Sequence, residues 1–238
     1  YKCSECGYQS VKWMGQCPEC SAWNSMQEDV IKEESKTGNK KTVRSFTELS
    51  GKVSTLKTAN AEKTEKIKTN IEEFDRLLSG GLIAGQITLL AGAPGIGKST
   101  LMMQVAGQIS KKDKTLYVSG EESISQISTR AKRLQVDSKN ILILPEINLE
   151  KVVEQIKNIK PKFVVLDSIQ TIYHPEFNSS AGSILQIKES ASEIIRLCKS
   201  ENIILFILGH ITKEGALAGP KILEHMVDTV LYFDTEKD

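Results

Sequence analysis

An α/β fold, with a mostly parallel central sheet covered by helices on both faces and a small metal-binding module ahead of it, is predicted by three features of this 238-residue sequence. From about residue 67 onward, short apolar runs alternate with longer amphipathic ones, the pattern of βαβ units around a parallel sheet. A glycine-rich stretch, GAPGIGKST, separates one of those apolar runs from the helix-like segment that follows. Four of the five cysteines crowd into the first 20 residues.

The cysteine module comes first. Cys3, Cys6, Cys17 and Cys20 form two CxxC pairs across a ten-residue spacer, which is metal-ligand spacing rather than a disulfide framework. Each pair makes a knuckle with two thiolates facing one ion, and two knuckles complete a tetrahedral shell. Zn²⁺ is the expected metal, with a rubredoxin-like iron site as the alternative. A module of residues 1–28 cannot stabilise itself by burial, so the metal supplies most of its folding free energy. Tyr8, Trp13 and Trp23 are expected to form its miniature core. Residues 29–66 are read as a flexible linker: from 32 to 68 the chain is rich in Lys, Glu, Ser and Thr, with ten basic residues against five Glu, a composition that resists packing and weakly attracts a polyanion.

Residues 67–238 form the α/β domain. Strands are expected at 86–91, 115–119, 141–144, 163–167, 203–208 and 227–233, with helices at 98–111, 123–135, 149–159 and 182–201. In such sheets ligands gather at the carboxyl ends of the strands. There the run Gly92, Ala93, Pro94, Gly95, Ile96, Gly97, Lys98, Ser99 satisfies G-x-x-x-x-G-K-[ST], with Thr100 next and a helix following. Glycines let backbone N–H groups turn toward phosphates, Lys98 reaches the β and γ oxygens, and the Ser99 hydroxyl ligates Mg²⁺. The second metal anchor is Asp167, which ends the apolar FVVLD run as a Walker B acid should. In YVSGEES, Glu121 is favoured over Glu122 as the group that activates water; Glu122 is read as a carboxylate favoured by a helix N-terminus. No base-reading N/TKxD pattern accompanies these groups, so ATP is the expected nucleotide.

The 203–208 strand is expected beside the Walker B strand, which sets His210 near the γ-phosphate as a sensor of its presence. The loop after it carries Lys213 and Lys221, two candidate phosphate contacts for DNA. A second irregular stretch, 173–183, follows Asp167 in the same manner. His174 and His225 are read as structural, and Cys198 as an apolar-face residue of a helix.

Bulk properties set limits on function. Net charge is +1, so any nucleic-acid contact is local rather than a global basic surface. No apolar run approaches the roughly 20 residues that span a bilayer. The start at Tyr1, with nothing resembling a signal peptide, reads as a trimmed beginning and a cytoplasmic chain.

With these parts in place, the chain resembles the bacterial RadA (Sms) family of DNA-repair proteins, relatives of the RecA recombinase. The likeness rests on the two CxxC pairs, TNIEEFDRLLSGGLIAGQ, GAPGIGKST, YVSGEES, VVLDSIQT and above all GHITKEGALAGPKILEHMVDTVLYF. It implies a RecA-like ATPase core that binds single-stranded DNA, assembles as a homo-oligomeric ring, usually a hexamer, and drives branch migration of recombination intermediates beside a recombinase of the RecA type. By the same likeness Glu121 matches the catalytic glutamate, His210 the γ-phosphate sensor, and 173–183 and 211–221 the two DNA-facing loops. Ala93 stands where the family commonly has aspartate, and the resemblance places a KNRFG motif and a Lon-protease-like domain beyond residue 238. The alternative is a signalling or partner-binding ATPase, similar to clock-type kinases that share the RecA core and a GGL approach to the P-loop, whose zinc module docks a protein.

Overall fold

The computed structural model describes residues 1–8, 10, 12–27, 65–210 and 220–234. Lys213 and almost all of the expected linker lie outside them. The chain divides into two units, Tyr1–Thr64 and Glu65–Asp238.

In the first unit, β1 (Lys2–Cys3) pairs antiparallel with β2 (Met26–Gln27). Each CxxC pair closes on the same turn. Gly7 N donates to Cys3 O at 3.0 Å, and Ser21 N donates to Cys17 O at 2.8 Å. The residue after each second cysteine is left-handed, with φ 78° at Gly7 and 60° at Ser21, which re-aims the backbone so that both thiols face inward. The expected aromatic core is not formed: Trp13 is 56% and Trp23 72% exposed, and Tyr8 is only half-buried. Cys3, Cys6, Cys17, Ser25 and Met26 occupy the interior instead. So few residues leave no volume in which an indole could be covered, and the sulfurs fill the centre.

The second unit is a six-stranded sheet with all described pairings parallel. Its strands are β3 (Ile87–Gly92), β4 (Thr115–Ser119), β5 (Ile141–Pro145), β6 (Phe163–Asp167), β7 (Ile204–His210) and β8 (Thr229–Phe233), in spatial order β5-β4-β6-β7-β3-β8. The four central strands are buried almost throughout because helices cover both faces, which is why they read as continuous apolar runs. Period-two alternation still sorts their side chains. Ile87, Leu89, Leu116, Val118, Val164, Leu166, Leu205 and Ile207 face α4 (Leu149–Ile159) and α5 (Ile184–Ser200). Leu90, Tyr117, Phe163, Val165, Phe206 and Leu208 face α1 (Glu72–Leu77), α2 (Lys98–Ile109) and α3 (Ile124–Arg133). Each fully buried aliphatic or aromatic side chain contributes about 1.5–3 kcal/mol. A short α6 (Pro220–Leu223) precedes β8.

Cys198 is fully buried among the α4/α5 layer, and burial pushes its thiol up to about 12. Among the described residues no helix is long and apolar enough to cross a membrane. Helix α1 was not expected, because six residues are too few for a periodic signal. Its buried Asp75 accepts from Thr69 N and Thr69 Oγ1, both at 2.8 Å, and from Asn70 N at 3.2 Å, anchoring the TNIEEFD stretch ahead of the sheet.

Candidate functional site

The site lies at the carboxyl ends of β3, β4, β6 and β7. Gly92 ends β3 opposite Phe233 of β8, and a Cβ there would come within 2.5 Å of the Phe233 carbonyl oxygen. Only glycine fits at that point. Gly97 takes φ 111° at the N-cap of α2, again a conformation that glycine adopts without strain.

Capping separates α2 from α3, α4 and α5. Ser123 and Gln126 form a capping box on α3, the Asn148 side chain accepts from Glu150 N and Lys151 N on α4, and Ser183 accepts from Gln186 N on α5. Helix α2, twelve residues long, has no side-chain cap and no acidic residue in its first turn. Its first N–H groups and the positive end of its dipole therefore face the Gly92–Lys98 turn without a carboxylate in the first turn to answer them, an arrangement suited to a phosphate.

Lys98 is 4% exposed, and its ammonium donates to Gly92 O and Ala93 O, both at 2.8 Å. Burial holds its pKa below the ordinary lysine value, against the opposing pull of Asp167 and Glu121. Nζ also lies 3.4 Å from His210 Nδ1. The other ring nitrogen of His210 is 3.2 Å from Glu121 Oε1, and that same oxygen accepts from the Ser168 hydroxyl at 2.6 Å. Lys98, His210, Glu121 and Ser168 thus form one continuous polar chain across four strand ends. Strand order makes it possible, since β7 lies between β3 and β6 and brings His210 beside both.

Asp167 is buried at 6% exposure and accepts from the Tyr117 hydroxyl at 2.6 Å. It shares the α2 face with Phe163 and Val165 by the alternation of β6. Glu122 is engaged elsewhere, with Oε1 accepting from Arg130 Nη1 at 2.7 Å. Ser99 and Thr100 are half-buried, whereas Ala93, Pro94 and Gly95 are exposed. The donor set fits a magnesium nucleotide: a buried ammonium, an uncapped helix start, a hydroxyl and a buried carboxylate.

Lys221 is exposed on α6. The 173–183 stretch is held from within. Fully buried Gln186 donates from Nε2 to the carbonyls of His174, Phe177 and Ser179 at 3.0–3.1 Å, while its Oε1 accepts from His174 N at 2.8 Å. His174 is itself buried, 3.3 Å from Glu193 and edge-on to Phe177; His225 is exposed. Sequence reasoning missed Tyr117, Arg130, Ser168 and Gln186. An apolar run with one tyrosine, or a helix with one glutamine, carries no local sign of such contacts.

In the first unit the four cysteine Sγ atoms all lie within 4.8 Å of one another, with Cys3–Cys20 at 3.7 Å and Cys6–Cys17 at 3.5 Å. A tetrahedral site with metal–sulfur bonds of about 2.3 Å requires sulfurs about 3.8 Å apart, so the thiols sit where one ion would hold them. Cys17→Ser is expected to abolish metal retention and unfold residues 1–27, while nucleotide affinity of the second unit changes less than twofold. Metal content by atomic emission and the amide spectrum of the module check this.

The fold and these groups define a RecA-like P-loop domain of the AAA class. A model described as an AAA domain matches residues 53–216, and one described as a rubredoxin metal binding domain matches residues 1–28. A KaiC-like protein from the hyperthermophilic archaeon Pyrococcus horikoshii shares the fold, with a TM-score of 0.58 and 19% identity over 71% of this chain and 80% of that one. Proteins named DNA repair protein RadA match along the whole chain: 48% identity for that of Listeria monocytogenes, 46% for Aquifex aeolicus and 44% for Bacillus subtilis, over 100%, 100% and 99% of this chain and 51%, 52% and 51% of those relatives. The chain belongs to the RadA family. It spans about half the length of the curated relatives it matches.

Proposed function

We propose that this protein is a DNA-dependent ATPase of recombinational DNA repair, which in its complete form assembles as a hexameric ring and moves branched intermediates along single-stranded DNA beside a RecA-type recombinase.

 The observation that carries this reading is the Lys98–His210–Glu121–Ser168 chain, because it joins the phosphate-binding turn to the end of β7, from which the lysine-bearing 211–221 segment departs.

In this reading Lys98 and the first turn of α2 hold the β and γ phosphates of ATP, and Ser99 and Asp167 hold Mg²⁺. The metal, when bound, neutralises charge on the phosphate oxygens. Glu121 orients and deprotonates the attacking water. Its Oε1 is held by Ser168 and His210 at hydrogen-bond distance, so the carboxylate is aimed before substrate arrives. His210 touches both the ammonium that would move to the phosphates and the carboxylate that activates water, which suits it to report whether the γ-phosphate is present. Lys213 and Lys221 contact the DNA backbone, and the four cysteines hold Zn²⁺.

Single-stranded DNA is expected to raise the ATPase rate of the intact protein at least fivefold at low salt, with stimulation declining as salt rises because phosphate contacts release counterions. Steady-state ATP hydrolysis with and without oligonucleotide checks this. A rate indifferent to DNA at low salt removes the DNA half of the reading. The exposed Trp13 and Trp23 favour a second reading, in which the metal module docks a protein partner; ATP hydrolysis unaffected by DNA is the result it requires.

A further inference from the structure

The hydroxyl of Tyr117, the first residue of the YVSGEES stretch, lies at a crossing point of three elements. Its ring is wholly buried in β4 and turned toward the α2 face. There it donates to Asp167 Oδ2 at 2.6 Å, and Arg130 Nη2 of α3 donates to the same phenolic oxygen at 3.3 Å. The Ser99 hydroxyl interacts with it as well. Arg130 is fixed in turn by Glu122, one residue beyond Glu121. The direction of this chain follows from chemistry: a guanidinium only donates, so Arg130 occupies a lone pair of the phenol and leaves its proton for Asp167.

We propose that Tyr117 is a positioning residue of the magnesium–nucleotide site, locking Asp167 in the orientation that presents its other oxygen to the metal, with Arg130 tying that orientation to the loop that carries Glu121. The proposal rests on the reading of Ser99 and Asp167 as the magnesium anchors. Mg²⁺ demands near-octahedral geometry and binds through few protein groups, so a carboxylate free to rotate is a poor ligand. A phenylalanine at 117 would fill the same core volume yet leave Oδ2 unclaimed. Partners that orient a metal ligand typically alter metal affinity by about 10–100-fold when removed.

The test uses Mn²⁺ in place of Mg²⁺, with the intact protein, a non-hydrolysable ATP analogue, and free Mn²⁺ followed by electron paramagnetic resonance. Tyr117→Phe is expected to weaken Mn²⁺ retention about tenfold, while binding of the analogue in EDTA stays within twofold of the parent. Arg130→Met, which keeps the aliphatic stem, is expected to give a smaller loss in the same direction. Parental Mn²⁺ affinity in a folded Tyr117→Phe protein overturns the proposal. If that variant does not fold, parental affinity in Arg130→Met overturns it instead. Asp167→Asn separates the two levels of inference: Mn²⁺ retention unchanged in that variant sinks the metal-site reading itself, whereas loss there with none in Tyr117→Phe sinks only the positioning role.

Discussion

Lys98→Met is expected to lower ATP affinity at least about 100-fold, equivalent to about 2.8 kcal/mol, with no loss of stability in the unliganded protein at neutral pH. Titration calorimetry with a non-hydrolysable analogue, and thermal melts without nucleotide, check the two halves. The first half follows from the only buried ammonium among the described residues being set in the Gly92–Lys98 turn beside the uncapped start of α2. The second follows from burial. The native pKa of Lys98 lies below that of the unfolded chain, so the native state holds its proton less tightly. Between those two values the unfolded state binds more protons, and stability rises with pH. Below the native value the cost of the buried charge is fully present. Methionine removes that cost while filling the same channel, so any gain in melting temperature should shrink as pH rises toward the ordinary lysine range. An ordinary affinity in Lys98→Met would mean that phosphate is bound elsewhere.

Glu121→Gln is expected to reduce ATP turnover by about 10²–10⁴-fold while nucleotide affinity changes less than about threefold. The amide is isosteric and can still accept from Ser168, so the loss would report the missing charge rather than a rearranged site. Single-turnover hydrolysis, measured beside analogue binding, distinguishes these effects. Turnover within tenfold of the parent would shift the role of base away from Glu121. Glu122 is poorly placed to inherit it, since its carboxylate is paired with Arg130. The two variants therefore fail in different ways: one does not bind nucleotide, and the other binds it without consuming it.

The sheet and the phosphate turn were legible along the chain because their signals are local. Four consecutive apolar residues before Asp167 mark a strand covered on both faces, and glycines at 92 and 97 mark a turn in which one needs close approach and the other a positive φ. Short α1 escaped notice for the same reason, its six residues offering less than two full turns of pattern.

The sequence by itself determined the six strands and the four longer helices of the second unit, and which four thiols share one centre, since spacing along the backbone dictates each of these. The 203–208 strand does lie beside the Walker B strand as expected; tertiary structure alone decided that β3 is its other neighbour, and with it the contacts of His210 to Lys98 and Glu121, which are 112 and 89 residues away. It also joined Tyr117 to Asp167 and left Trp13 and Trp23 in solvent. Periodicity states which face of an element is buried and is silent about what that face meets; the neighbour is chosen by packing among segments far apart in the chain, and by how much interior a unit of given size possesses.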